Sequence, residues 1–228
     1  MLENLKEHVF HANLSLIQNG LVFLTWGNAS GIDREAGLVV IKPSGLSYSK
    51  MDINDMVVVD LNGKLVEGKL KPSADTPTHL ELYRNFLDIG GIVHTHSTYA
   101  TAWAQAGKYI PIIGTTHADY FANDVPCTRY MADIEVFGDY ELETGKAIVR
   151  AFEKINPNEV PAVLVKNHGP FTWGKDTDRA VQNAIALEEI AKMAHLSFLL
   201  NPNLTMNKAL VKKHSDRKHE KDAYLSNK

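Results

Sequence analysis

Five stretches, LVFLT (21–25), GLVVIKP (37–43), MVVVDLNGKLVEG (56–68), GGIVHTH (90–96) and PAVLVKNHG (161–169), are too apolar for loops and too short for helices. Rich in Val, Ile and Leu and bounded by Gly, Pro or polar residues, they read as strands. Asn62-Gly63 suits a tight turn, so 56–68 reads as a hairpin. GNASGIDREA reads as a polar loop between the first two strands. Helical periodicity fills much of the rest. Leu2, Leu5, Val9, Ala12, Leu16 and Ile17 recur at three- and four-residue steps, ending at Asn19-Gly20. Further helices are predicted in SADTPTHLELYRNF, with Pro77 near its first turn, in STYATAWAQAG and in YELETGKAIVRAFEK. The longest is DTDRAVQNAIALEEIAKMAHLSFLL, capped by Asp176 or Thr177. Strands occur both in hairpins and between helices. That pattern predicts one α/β domain with a mixed sheet between helical layers.

A hydrophobic fraction of 44% in 228 residues is ample for a core, and a net charge of -3 speaks against a nucleic-acid or anionic-membrane partner. The single cysteine, Cys127, excludes an internal disulfide and fits a reducing compartment; it reads as a small buried hydrophobe. The N-terminus lacks the pattern of a signal peptide, and no run reaches the ~20 apolar residues that span a bilayer. A cytoplasmic location is expected. The basic stretch KKHSDRKHEK (212–221) is either a solvated helix face or a helper site for an anion.

GGIVHTH sets two histidines two apart at the end of a strand-like run. Residues i and i+2 of a strand leave the same face. His94 and His96 therefore stand side by side while Thr95 turns away. A second apolar run ends in His168, before Gly169. Strand ends that open onto loops are where layered α/β proteins assemble sites. Three imidazoles with a carboxylate near by would make a zinc-type centre with an open position, whereas a closed structural site would draw on cysteines. Taken alone, a His-x-His pair is more often a hydrogen-bonded surface feature than a ligand set.

Three loops suit an anion. KPSG (42–45) offers Lys42, the Ser44 hydroxyl and the close-approaching backbone of Gly45. WGNAS (26–30) has the same character, and PSADT (72–76) brings a hydroxyl to a helix start. Each alone is also an ordinary turn. With a metal beside them, they point to a phosphorylated small molecule.

TWGNAS, IKPSG, PSADTPTH, GGIVHTHSTYATAWAQAG, GTTHADYF, PCTR and NHGPFTWGKD together resemble the L-ribulose-5-phosphate 4-epimerases of the class II aldolase/epimerase group. THSTYATAWAQAG and YELETGKAI are most similar to the L-ascorbate-utilisation type, with the arabinose-pathway enzymes close behind. The resemblance runs from the first helix to the tail. It implies a three-layer αβα fold with a mixed, largely antiparallel sheet, forming a single domain over 1–228. It also implies that the C-terminal helix and tail, 205–228, reach a neighbouring subunit of a homotetramer with interface sites. One Zn2+ per subunit would be held by His94, His96 and His168, with Asp75 at the fourth metal-associated position. The substrate phosphate of a sugar would lie around Gly27, Asn28, Lys42, Ser44, Gly45, Ser73 and Ala74. The family usually has serine where Ala74 stands, so one hydroxyl contact is missing here and only the backbone N–H is left to offer. Asp119 would be an acid/base supplied by the neighbouring subunit, with His214 and Arg217 near the substrate across the same boundary. The family's catalytic tyrosine is the second of AYYGQ, but this chain ends AYLSNK, with Leu225 at that position. Tyr224 is taken as the partner through a one-residue shift in the tail.

Class II sugar-phosphate aldolases are the nearest alternative. They usually carry glutamate at the position of Asp75, so the shorter carboxylate favours an epimerase. A non-catalytic module such as the adducin head would lack the three histidines, and an unrelated metallohydrolase would leave the anion loops unexplained.

Overall fold

The computed structural model describes residues 2–219. The periodic N-terminal segment forms α1 (Glu3–Gln18), capped by Asn19, with Gly20 in the left-handed region at φ 67°. Seven strands follow: β1 (Asn28–Asp33), β2 (Leu38–Ile41), β3 (Val57–Asp60), β4 (Leu65–Glu67), β5 (Gly91–His94), β6 (Ala162–Leu164) and β7 (Pro170–Gly174). They make one sheet in the order β4-β3-β2-β1-β5-β7-β6. Every pairing among these strands is antiparallel. The parallel share expected from the sequence shrinks to an isolated bridge between Cys127 and Leu164.

Helices cover both faces. Alternation along the strands sends Val57 and Val59 to one core, with Leu82, Tyr83 and Trp173, and Val58 to the other, with Val9, Leu16 and Val40. Burial on both faces explains why these strands read as unbroken apolar runs. The helices are α2 (Thr76–Asn85), α3 (Thr98–Ala106), α4 (Thr115–Tyr120), α5 (Asp133–Val136), α6 (Tyr140–Ala151), α7 (Thr177–Leu200) and α8 (Lys208–His219). The first half of α7 packs Ala180, Val181 and Ala184 into one core, and its second half packs Leu187, Ile190 and Ala191 into the other. Asp176 caps it, accepting from the Arg179 N–H at 2.7 Å. No described helix is long and apolar enough to cross a membrane.

Two predicted segments exchange roles. LVFLT is not a strand: Leu21 and Val22 are buried, but Phe23 and Leu24 point to solvent and Leu24 turns left-handed at φ 54°. The supposed loop GNASGID instead contains β1, a central strand. Its residues are small because the space is closed: a Cβ on Gly31 would meet Leu5 Cδ1 at 2.8 Å. Its polar Ser30 is buried because Oγ meets His79 Nδ1 at 2.7 Å and the Tyr83 hydroxyl at 2.8 Å. The sequence signal for a strand, large branched side chains, is absent where the packing forbids it.

Candidate active site

Sheet register brings the site together. Asn28 on β1 lies opposite His94 on β5, and His94 lies opposite Phe171 on β7. The β1 loop approaches β5 so closely that a Cβ on Gly27 (φ 108°) would stand 2.7 Å from the His94 carbonyl oxygen. Only glycine fits there. On the other side, His168 follows Asn167, held left-handed at φ 63° in the turn between β6 and β7. Asn tolerates that conformation better than most residues.

His94 is buried and stacks on Phe171 at 4.2 Å. Its Nδ1 lies 2.9 Å from the Pro170 carbonyl oxygen. A carbonyl can only accept, so Nδ1 carries a proton, and in the neutral ring Nε2 is the nitrogen left to ligate. That Nε2 lies 3.2 Å from His96 Nε2. β5 ends at His94, so His96 sits just past the strand, yet its ring still faces the same way. The Tyr140 hydroxyl, from α6, is 3.4 Å from His168 Nδ1. Ring nitrogens of His94, His96 and His168 all lie within 4.8 Å of one another. Ligands on a tetrahedral zinc at ~2.0–2.1 Å are ~3.4 Å apart; the His94–His96 pair is already at that spacing, and small ring movements would bring all three onto one ion. Burial, then repulsion from His94 and His96, lowers the His168 pKa to about 3, and burial likewise lowers that of His96. Neutral imidazoles are the form that ligates a metal.

A cavity of about 310 Å³ opens beside this cluster, lined among others by Trp26, Asn28, Lys42, Ser44 and Asp75. Gly27, Gly45, Ser73 and Ala74 line it too. The Asn28 amide donates to Ser73 Oγ at 3.0 Å and to Asp75 Oδ2 at 2.7 Å, and its buried carbonyl oxygen has no partner among the described residues. Asp75, at the N-cap position of α2, has its pKa pushed up by burial, but His94, His79, Asn28 and His168 outweigh this and hold it low. Its carboxylate shares the cavity without joining the three-histidine group. Lys42 is 2% exposed. Its ammonium donates to the Pro43 carbonyl at 3.2 Å and lies 4.6 Å from the Tyr48 ring centre. Burial lowers its pKa to about 8, and among the described residues no carboxylate bonds to it. The KPSG and PSADT loops are stitched together by Ser44 N–H to the Lys71 carbonyl and Ser73 N–H to the Lys42 carbonyl. Among the described residues, the N–H groups of Gly45 and Ala74 have no protein partner.

Asp119 stands elsewhere. It lies on α4, and its Oδ1 is 2.9 Å from His214 Nδ1 on α8 of the same chain. Neither residue lines the cavity. Tyr224 and Leu225 lie outside the described residues, and the Arg217 side chain is likewise undescribed. The sequence does not single out Tyr140, since nothing in α6 marks its tyrosine as facing a histidine far along the chain. Trp26, in the WGNAS loop, is half-exposed at the cavity, its ring 6.4 Å from that of His96. His79 is a neutral core group: burial lowers its pKa to about 3, and its Nε2 has no partner. Cys127 is half-buried, and burial raises its thiol pKa, which argues against a nucleophile.

An αβα sandwich with three imidazoles converging beside an anion-receptive cavity at its strand ends defines the class of protein. Residues 7–195 match the class II aldolase and adducin N-terminal domain, and the chain belongs to that family. The structure is similar to that of an L-fuculose 1-phosphate aldolase, with 27% identity over 94% of this chain and 95% of that one, TM-score 0.80. It is also similar to YgbL from Klebsiella pneumoniae, whose description spans aldolase, epimerase and decarboxylase, with 26% identity over 93% and 99% and TM-score 0.71. The L-fuculose 1-phosphate aldolase from Glaciozyma antarctica PI12 shares the fold, at 20% identity over 94% and 81%, TM-score 0.76.

Proposed function

We propose that this protein is a zinc-dependent L-ribulose-5-phosphate 4-epimerase, interconverting L-ribulose 5-phosphate and D-xylulose 5-phosphate as a homotetramer in the cytoplasm. The observation that carries the reading is the three-imidazole cluster opening onto a cavity that holds a buried, unpaired ammonium. With the ketone at C2, the proton at C4 is not acidic, so direct deprotonation cannot invert that centre. Breaking the C3–C4 bond gives the enediolate of dihydroxyacetone and glycolaldehyde phosphate; the aldehyde turns over and the bond re-forms. A divalent ion held by His94, His96 and His168 would supply Lewis-acid stabilisation for the charge on the substrate oxygens.

The chain's own groups do the rest. Lys42, Ser44, Ser73 and the N–H groups of Gly45 and Ala74 bind the phosphate, which keeps the aldehyde from escaping. The Asn28 carbonyl oxygen accepts from a substrate hydroxyl. Asp119, brought by a neighbouring subunit with His214 behind it, takes the C4 hydroxyl proton on one face. Tyr224 returns one on the other.

A second reading, a sugar-phosphate aldolase, is favoured by the similarity to L-fuculose 1-phosphate aldolase. Both are tested by incubating the protein with L-ribulose 5-phosphate, with and without chelator. Formation of D-xylulose 5-phosphate, lost on chelation, is expected. Accumulation of free glycolaldehyde phosphate without the epimer would replace the epimerase with an aldolase.

A further inference from the structure

The three histidines are not held alike. The His94 ring is fixed by the Pro170 carbonyl and by Phe171, and His168 has the Tyr140 hydroxyl at Nδ1. Among the described residues, the His96 ring has no hydrogen-bond partner except His94 itself. Its direction therefore depends on where the backbone between β5 and α3 is anchored.

On the β5 side Thr95 N–H donates to the Pro170 carbonyl at 3.3 Å; on the α3 side the anchor comes from α7. A helix start leaves its first N–H groups without intrahelical partners, and a side chain at the N-cap normally takes one. Ser97, the N-cap of α3, makes no such bond. Instead Glu188 reaches across from α7, one carboxylate oxygen accepting from Tyr99 N–H at 2.8 Å and the other from Ala100 N–H at 2.9 Å. The same two helices are joined again by Trp103 Nε1, which donates to the Ala191 carbonyl at 3.0 Å. The forked carboxylate thus pins the first turn of α3, and His96 is the residue immediately before its cap. A carboxylate at a helix N-terminus is also favoured by the helix dipole, so the contact is strong for reasons of charge as well as geometry.

We propose that Glu188 is a positioning residue of the metal centre: its bidentate grip on the α3 N-terminus holds His96 at ligating distance from His94 and His168. This rests on the metal-centre reading above. Groups that orient ligands typically contribute ~10- to 100-fold in metal affinity, and Glu188 does so through the backbone in place of a ring nitrogen.

The test is zinc affinity by competition with a chromophoric chelator, on wild type, Glu188→Ala, the near-isosteric Glu188→Gln, and Glu189→Gln as an exposed neighbour on α7. Thermal melts and the visible spectrum of the cobalt-loaded proteins are taken in parallel. Glu188→Ala is expected to weaken zinc binding by ~10- to 100-fold and to alter the cobalt spectrum, since a ligand has moved. Glu188→Gln, with one acceptor left for two N–H groups, falls between, and Glu189→Gln matches wild type. If Glu188→Ala does not fold, Glu188→Gln carries the test. Variants that melt lower yet bind zinc and colour cobalt as wild type does would make Glu188 a purely structural cap and overturn the proposal. A wild-type protein that binds no zinc would overturn the metal centre itself, and the proposal with it.

Discussion

The strand-end cavity and the α4–α8 pair hold polar groups in opposite ways. In the cavity His94, Asn28 and Lys42 are all but sealed from solvent, and among the described residues the Asn28 carbonyl oxygen has no partner and the Lys42 ammonium bonds to a carbonyl but to no carboxylate. On α4 and α8, the Asp119 and His214 side chains keep 31% and 17% of their exposure and satisfy each other. Buried groups without partners cost stability unless a ligand meets them. A half-buried carboxylate paired with an imidazole costs less to keep. The first region leaves groups for a ligand to meet, and the second has already satisfied its own.

The sharpest way to test that division is to remove one half at a time. His96→Asn should abolish stoichiometric zinc and lower turnover by roughly ten-thousandfold, as several kcal/mol of Lewis-acid stabilisation is lost. Its far-UV circular dichroism should stay at wild type, because the core does not depend on the metal. Full activity in a metal-free variant would sink the metal centre. Asp119→Asn should lower turnover by ~100- to 10,000-fold with zinc content unchanged. If the variant loses its metal, Asp119 belongs to the binding half after all. Mixing the two inactive variants under conditions of subunit exchange should restore activity, since one chain then supplies the cavity and another the carboxylate. A mixture no better than its parents would place both halves within one chain.

A smaller effect is expected at the imidazole behind the carboxylate. His214→Asn keeps a donor for Asp119 but not an ionisable one. About a tenfold fall in turnover is expected, the size of one hydrogen bond to a charged group, with zinc affinity unaltered. Unchanged turnover would reduce the pair to a contact that merely docks α8 on α4.

The two regions also differ in how far the sequence discloses them. His94 and His96 were legible because strand period two is a local rule, and the Asn62-Gly63 hairpin because turn chemistry is local as well. The site's other walls were less so. β1 read as a loop because close packing against Leu5 and Thr177 requires Gly31, and a buried hydrogen bond requires Ser30. LVFLT read as a strand because apolar residues do not announce that Phe23 and Leu24 face outward. Glu188 sits in a helical pattern like any surface glutamate, and only the tertiary packing of α7 on α3 turns its carboxylate to Tyr99 and Ala100. The partner of Asp119 was likewise unreadable, for His214 is 95 residues away.

The cost of the binding half is measurable at Lys42. Its ordinary pKa of 10.5 falls to about 8 on burial, so in the folded protein the charged form is disfavoured by roughly 3 kcal/mol. Below pH 8 the lysine is protonated both folded and unfolded, and this destabilisation is fully present. Between about pH 8 and 10.5 the folded state has released the proton and the unfolded state has not, so the burden shrinks as pH rises and is gone above that window. Lys42→Met removes the charge while keeping most of the volume, but also loses the ammonium's contact with the Tyr48 ring, a cation–π term of about 1 kcal/mol. Urea denaturation at pH 7 should therefore find the variant more stable by about 2 kcal/mol. The gain should contract at pH 9.5, and binding of inorganic phosphate should be lost at both. A variant no more stable than wild type at pH 7 would mean that Lys42 already has a counter-charge, and the cavity would lose its claim to be an anion site kept open at the expense of stability.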